Sequence, residues 1–393
     1  MGIQTSARAG DASASPTGTS SSGTLSAGAF KKYSFLFSVS PPLVLWASYL
    51  IGQSSHQANG FAWLPFIFLM FGLPLLDLLL GEDKETGSHQ WDENSALYDA
   101  VIYLSAPIQF VSVIAAAFMF DNFSTVGKIG WVLSTGMVTS ITAVNIAHEL
   151  MHRGRKLPRF LGGLLYCSAF YPGVKIRHAR QHHPNVGTLA DAGTAPYNQT
   201  VYGFIARVYL SSIPDAWKLA AYRKKAAGAK LWWLRNEMMG WLALCAAFIV
   251  AAWLVFGWQG VVFFVAQGLV ASIILESVNY PTHYGLLRRR LENGKLEPPS
   301  RMHAWDYNSF LTNAVLINAQ RHGDHHQHPA VLYQSLEYHD DNPRLPACYL
   351  AMALVAYLPP LWKRLMHPRL HQFYRNQGVD YAELCKQAQT EQA

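Results

Sequence analysis

From residue 34 onward the chain alternates between long apolar runs and short polar joints. Six runs approach the roughly 20 residues that a helix needs to cross a bilayer: about 34–52, 61–80, 100–120, 129–147, 241–257 and 260–280. The joints at 53–60, 121–128 and 257–260 are short. The pattern predicts an all-α integral membrane protein with six transmembrane helices, paired as three hairpins. Two further apolar segments suit crossing less well. Residues 157–172 (LPRFLGGLLYCSAFYP) are few, with a proline near each end, and 344–367 are interrupted by Pro346, Pro359 and Pro360. Both are expected at the membrane interface or packed on the bundle. A seventh span over 345–362 is the lesser alternative.

The two ends differ in kind from the rest. Ser, Thr, Ala and Gly make up 22 of the first 29 residues, which leaves too little apolar surface to drive ordering. That stretch also lacks the apolar centre of a secretory signal. The expected organisation is a disordered tail over 1–30, a membrane domain with its cap over 31–365, and a polar tail over 366–393.

Composition agrees with the pattern. The chain is 51% hydrophobic and only 14% charged, where a soluble domain is nearer a quarter charged. Charge also gives orientation. The three joints taken as outside hold only Asp121 and Lys128, whereas Lys31, Lys32, Arg153, Arg155, Lys156, Arg159, Arg177, Arg180, Lys224, Lys225 and Arg288 to Arg290 fall on the other side. By the positive-inside rule that side, with both termini, is cytoplasmic. The net charge of +7 is explained by this topology, and no nucleic-acid motif accompanies it. Cys167, Cys245, Cys348 and Cys385 lie far apart, which excludes a C-x-x-C metal or redox site.

Sixteen histidines are the compositional anomaly, and nine are clustered. HELMH carries His148 and His152, HARQHH carries His178, His182 and His183, NYPTHYG carries His283, and QRHGDHH carries His322, His325 and His326. The topology places all nine at the cytoplasmic end of the spans. Positions i and i+4, or i and i+3, share a helix face, so HELMH, HARQHH and QRHGDHH can each aim two imidazoles at one point. In HARQHH and QRHGDHH the adjacent histidine points elsewhere and could serve a second metal. Nine ligands suit two ions, and imidazole suits iron, zinc, copper or nickel. His303, His328 and His339 are expected to make local hydrogen bonds; His56, His89, His367 and His371 are isolated.

HELMH alone reads as a zinc protease with Glu149 as general base. Such an enzyme has no use for HARQHH and QRHGDHH, and Asp77, offered as its third ligand, leaves seven clustered histidines unexplained. A metal transporter would place its ligands near the midplane of broken helices, not at one end. Glu149 is expected instead to accept a hydrogen bond and orient a ligand imidazole. Asp77 and Glu276 are carboxylates inside apolar runs; each is either internally paired or functional.

At these motifs the sequence resembles the membrane-bound alkane 1-monooxygenase and xylene monooxygenase family. HELMH, HARQHH, NYPTHYGL and QRHGDHHQHP stand in the family's order, and LPLLDLLLGED at 73–83 and LYQSLEYHDDNPRLP at 332–346 look like the alkane enzymes. The likeness covers roughly residues 70–365. It implies six transmembrane helices with a cytoplasmic helical cap carrying a non-haem di-iron site. The ligands of the two irons would be His148, His152, His178, His182, His183, His283, His322, His325 and His326. Asp191, eight residues after HARQHH, matches a family acidic position that would support ligand histidines, and Asp324 is a further candidate for that role.

The implied reaction is hydroxylation of the terminal methyl of a medium- or long-chain n-alkane with O2. Electrons would come from rubredoxin, since the chain shows no flavin, haem or iron–sulfur motif, and the implied location is the bacterial inner membrane. HELMHR and Glu276 in LESVNY look more like the xylene enzymes, which oxidise aromatic methyl groups and take electrons from a ferredoxin-like reductase. A fatty acyl desaturase or hydroxylase is a more distant alternative. Where many alkane enzymes carry Glu before the NYxxHYG histidine, this chain has Thr282. Trp46, Trp63, Leu69 and Phe71 are candidate walls of a hydrocarbon cleft.

Overall fold

The computed structural model describes residues 27–87, 95–226 and 236–390. Most of the expected N-terminal tail (1–26), and His89, lie outside the described residues. Among the described residues the architecture is all-helical, with isolated β-bridges only.

Helix α1 is bent by 54° between Phe30–Val39 and Pro41–Ser54. The break falls where Pro41 and Pro42 open the second half, because proline cannot continue the hydrogen-bond ladder of a preceding turn. Helix α2 is Ala58–Leu80, α3 is Ala96–Asn122 and α4 is Thr125–His152. Ser124 caps α4 by accepting from the Gly127 N–H. After α4 come α5 (Lys156–Ser168), α6 (174–185) and α7 (Val201–Ala226). Helix α8 runs Glu237–Thr282, capped by Asn236. Short helices follow: α9 (Phe310–Val315), α10 (His322–Gln327) and α11 (Tyr349–Ala356). The chain closes with α12 (Pro359–Asn376) and α13 (Tyr381–Thr390).

α2, α3, α4 and α8 are each long and apolar enough to cross a membrane, and the bent α1 makes five. α8 has 46 residues, about 69 Å if straight, more than twice a hydrocarbon core. Its two apolar halves meet at Gly257, where φ 65° and ψ −161° leave the helical region at no Cβ cost. α4 is the buried centre, with 78% of its apolar window inside the protein against 6% for α8. Large apolar side chains face outward, Leu79 at 82% exposure and Trp253, Leu254 and Trp258 beside it in kind. Unpaired apolar surface on this scale fits a lipid solvent rather than water. The protein is an integral membrane protein.

Residues 345–362 do not form one helix long enough to cross a membrane. α11 has eight residues and ends before Pro359 opens α12. α5 is likewise a packed helix against α4. The expected polar tail from 366 is ordered through Thr390. Met366, Leu370, Tyr374, Tyr381 and Leu384 are buried in one cluster with Tyr280, Tyr284 and Trp305, because the 3–4 spacing of apolar residues gives α12 a core face. Gly285 (φ 72°) sits under Leu370, whose Cδ2 would lie 2.3 Å from an added Cβ.

Two buried carboxylates tie α1 and α2 to the segment after α8. Asp77 on α2 accepts from Ser309 Oγ (2.8 Å), Leu311 N (2.9 Å), Thr312 N (3.1 Å) and Thr312 Oγ1. It therefore satisfies donors at the start of α9 and is no metal ligand. Asp83 pairs with Arg321 at 2.9 Å, both side chains 1% exposed, and also holds Lys31. Arg321 further donates to the Leu336 carbonyl (2.7 Å). The residue before His322 is thus locked from both sides.

Candidate metal centre

The nine clustered imidazoles converge at the C-terminal ends of α4 and α8. They form two groups, His148, His152, His178, His183 and His325 in one, and His182, His283, His322 and His326 in the other. Within each group the candidate ligand atoms lie within 4.8 Å of one another. In the first group Nε2 of His178 is 3.0 Å from Nε2 of His152 and 2.9 Å from Nε2 of His183, which is 3.2 Å from Nε2 of His325. In the second, Nε2 atoms of His322 and His326 are 3.0 Å apart. The groups abut, with His183 and His326 rings 4.7 Å apart.

This geometry fits metal ions. A neutral imidazole has one donor and one acceptor nitrogen, so several Nε2 atoms crowded together cannot all satisfy one another. Nε2 of His148 and of His283 are buried with no hydrogen-bond partner, a costly state for a polar atom that a central cation relieves. Burial first, and then the neighbouring imidazoles, hold His178, His322, His325 and His326 well below the usual histidine range. The same causes bring His283 to about 3. Lone pairs are therefore available at neutral pH. An all-nitrogen donor set suits first-row transition metals.

The division within HARQHH departs from the i, i+4 expectation. His178 shares a group with His183, five residues on, while His182 joins the other group. The cause is a π-turn over His178–His182, in which the His183 N–H bonds to the His178 carbonyl. An i→i+5 ladder brings residue i+5, not i+4, over residue i. In QRHGDHH the ordinary spacing holds, with His322 and His326 together and His325 turned to the first group.

Supporting contacts differ among the expected carboxylates. Asp191 Oδ2 lies 2.8 Å from His182 Nδ1 and accepts from Thr194 Oγ1 (2.9 Å), while Oδ1 accepts from Gly193 N (2.9 Å). Burial alone would raise this carboxyl, but His182 and these donors hold it below the usual range. Glu149 does not orient an imidazole. It accepts from Arg153 Nε at 3.2 Å, and Arg153 also bonds Asp99. Asp324 lies 2.8 Å from His328 Nδ1 and accepts from the Glu337 N–H at 2.8 Å, so it orders the loop after α10. His303 and His339 bond locally to Glu297 and Glu337.

Thr282 bonds its own helix carbonyl at Val278 (2.8 Å). His283 Nδ1 instead faces the His303 main-chain carbonyl at 3.1 Å, which aims Nε2 inward without a carboxylate. A further positioning residue carries no spacing signal. Buried Asp306 accepts from Gly323 N (2.7 Å) and Asn342 Nδ2 (2.6 Å), holding the first turn of α10. Burial pushes its carboxyl up to about 7.

A partly open cavity reaches the imidazoles of His148, His178, His182 and His322. Met137, Ile141, Ile274, Leu316 and Leu350 form its apolar walls. Two carboxylates line it, Asp191 and Glu276, the latter bonded by Tyr171 OH (2.8 Å) and Asn279 Nδ2 (3.2 Å). The expected wall residues are elsewhere. Leu69 and Trp63 pack in the bundle core, Phe71 is 47% exposed, and Trp46 does not line the cavity.

Comparison with known proteins agrees with this geometry. A fatty acid desaturase family model matches residues 124–357, a stretch that includes all nine histidines. Alkane 1-monooxygenase 2 of Alcanivorax borkumensis is 36% identical over 88% of this chain and 93% of its own length. Alkane 1-monooxygenase 2 of Pseudomonas aeruginosa is 35% identical over 89% and 94%. The xylene/toluene monooxygenase hydroxylase component of Pseudomonas putida is 29% identical over 60% and 63%. With its imidazoles gathered beside an apolar cavity and its similarity running nearly end to end, the chain belongs to the membrane-bound alkane 1-monooxygenase family.

Proposed function

We propose that this protein hydroxylates the terminal methyl of a medium- or long-chain n-alkane. The balance is R–CH3 + O2 + 2 electrons + 2 protons giving R–CH2OH + H2O. One observation carries the reading: an apolar cavity inside a membrane bundle ends on the two imidazole groups. Two iron ions are the proposed cofactors, one held by His148, His152, His178, His183 and His325, the other by His182, His283, His322 and His326. Bound iron would supply the reductive activation of O2. The chain's own residues do the rest. Met137, Ile141, Leu316 and Leu350 hold the alkyl chain and exclude water, so that a methyl group meets the imidazole end. Asp191 and the His303 carbonyl keep His182 and His283 in the ligating tautomer.

The two halves of α8 on either side of Gly257 act as separate spans, making six with the bent α1. The imidazole end faces the cytoplasm of a bacterial inner membrane, and a rubredoxin supplies electrons to the basic face. The similarity to the xylene enzyme favours aromatic methyl groups as a second reading, over a shorter part of the chain. The test is metal analysis of the detergent-solubilised protein with and without His322→Ala, followed by product analysis on n-alkanes and p-xylene. Two irons per chain, reduced in the variant, and 1-alkanol as main product support the proposal. One zinc, unchanged in the variant, refutes it.

A further inference from the structure

Several cations near the imidazole groups are neutralised within the protein. Arg153 meets Asp99 and Glu149, Lys175 and Arg180 share Glu237, and Arg289 meets Glu297. Three cations shortly after HELMH are not. Arg155, Lys156 and Arg159, at the start of α5, are all exposed. Among the described residues none of them is ion-paired with a carboxylate. Arg159 donates to the Arg155 and Gly154 main-chain carbonyls, at 3.3 Å each, which leaves its charge uncompensated.

The same turns of α5 leave apolar surface uncovered. Leu157 is 63% and Phe160 52% exposed. With half-buried Leu161 and Leu164 they form an i, i+3, i+4, i+7 stripe. Pro158, Leu165 and Tyr166 lie on a different face and are buried; Leu165 and Tyr166 pack with Ala147, Leu150 and Met151 of α4. The outward stripe continues onto α8. The Phe160 ring lies 5.9 Å from that of Trp241, and farther along that half of α8 Val250, Trp253 and Leu254 are exposed. Charge stops at Arg159, because residues 160–168 (FLGGLLYCS) carry none. Cations first, then aromatic and aliphatic side chains, is the order that a bilayer presents from headgroup to hydrocarbon. Neighbouring cations add their attraction to anionic lipid. A soluble acidic protein would match the three charges but not the uncovered stripe beside them.

We infer that Arg155, Lys156 and Arg159 hold the headgroup phosphate of an anionic phospholipid, with Leu157 and Phe160 against its acyl chains. The inference rests on the membrane location of the chain and not on the iron-binding reading. The lipid lies on the outer side of α5, and the inner side of α5 backs the turn of α4 that carries HELMH.

The test is native mass spectrometry of the full chain in detergent, with dioleoyl phosphatidylglycerol or dioleoyl phosphatidylcholine added at equal concentration. The wild type should bind the glycerol lipid about tenfold more than the choline lipid, and the ratio should fall as ammonium acetate is raised. The combined variant Arg155→Gln, Lys156→Gln, Arg159→Gln should bring the two lipids within about twofold of each other. The charge-matched variant Lys363→Gln, Arg364→Gln, Arg369→Gln on α12 should keep the wild-type ratio. Lys156→Gln alone should lower the ratio part way, which keeps the test readable if the triple variant fails to fold by circular dichroism. Equal binding of the two lipids by the wild type overturns the proposal. So does a preference that survives loss of the three α5 cations, or one lost equally in the α12 variant. An α5 variant that keeps the lipid preference but no longer binds an acidic electron-donor protein would assign this face to a protein partner instead.

Discussion

At the residue scale, eight of the nine histidines were legible because imidazole spacing on a helix is a local property, and His283 only by its place at the end of the sixth apolar run. Their supports were legible only in part. Asp191 stands beside His182, but Glu149 and Asp324 turn to Arg153 and His328, since i+1 and i+2 positions face away from a ligand at i. The His303 carbonyl is invisible in sequence, being backbone brought in from twenty residues away. Asp191→Asn should weaken metal binding in the His182 group about 10- to 100-fold, leaving close to one iron per chain by elemental analysis. Glu297 supports His303 and Arg289. Burial opposes its ionisation, yet those two partners hold it near 2. Its folded value is depressed, so its contribution to stability is complete above the unfolded carboxyl value of about 4.3 and fades as pH falls toward 2. Glu297→Gln should lower the melting temperature at pH 6, with the gap from wild type closing near pH 2. A gap independent of pH would refute the assignment.

At the element scale, apolar run length located the helices well, whereas their breaks and local windings were less readable. The six runs reappear as α1 to α4 and the two halves of α8. Gly257 at the joint was legible as a short connection. The π-turns at Phe68–Gly72, Ser140–Asn145 and His178–His182 were not, because one extra residue per turn is imposed by packing rather than by composition. The last of them sorts His182 from His183. Deleting Ala179 should relax the turn to an i→i+4 ladder in which His183 becomes the fourth residue after His178 and keeps its place over it. The expected result is a folded protein, by circular dichroism, with unchanged iron per chain. Loss of iron in that deletion would show that the His178–His183 pairing depends on the π-turn itself.

At the scale of the whole molecule, the cavity was hidden from sequence because its walls come from α4 to α8, α10, α11 and the segment after α9. Its length follows from α4. Met137 precedes His148 by eleven residues on the same lining, about 16 Å along the axis. Met137→Trp should fill the far end and shorten the longest alkane accepted, while the oxidation rate of the shortest substrates changes less than about twofold. Product profiles across an n-alkane series measure this. An unchanged profile would move the substrate to another space.

His182 and His183 are adjacent residues that belong to different imidazole groups, and so are His325 and His326. The two halves of the centre are therefore joined by single peptide units as well as by the packing of their rings. Filling one half orders the backbone that presents the other, so the first ion lowers the entropic cost of the second. Uptake should then be cooperative. Native mass spectrometry during iron titration should show chains with none or two, and few with one.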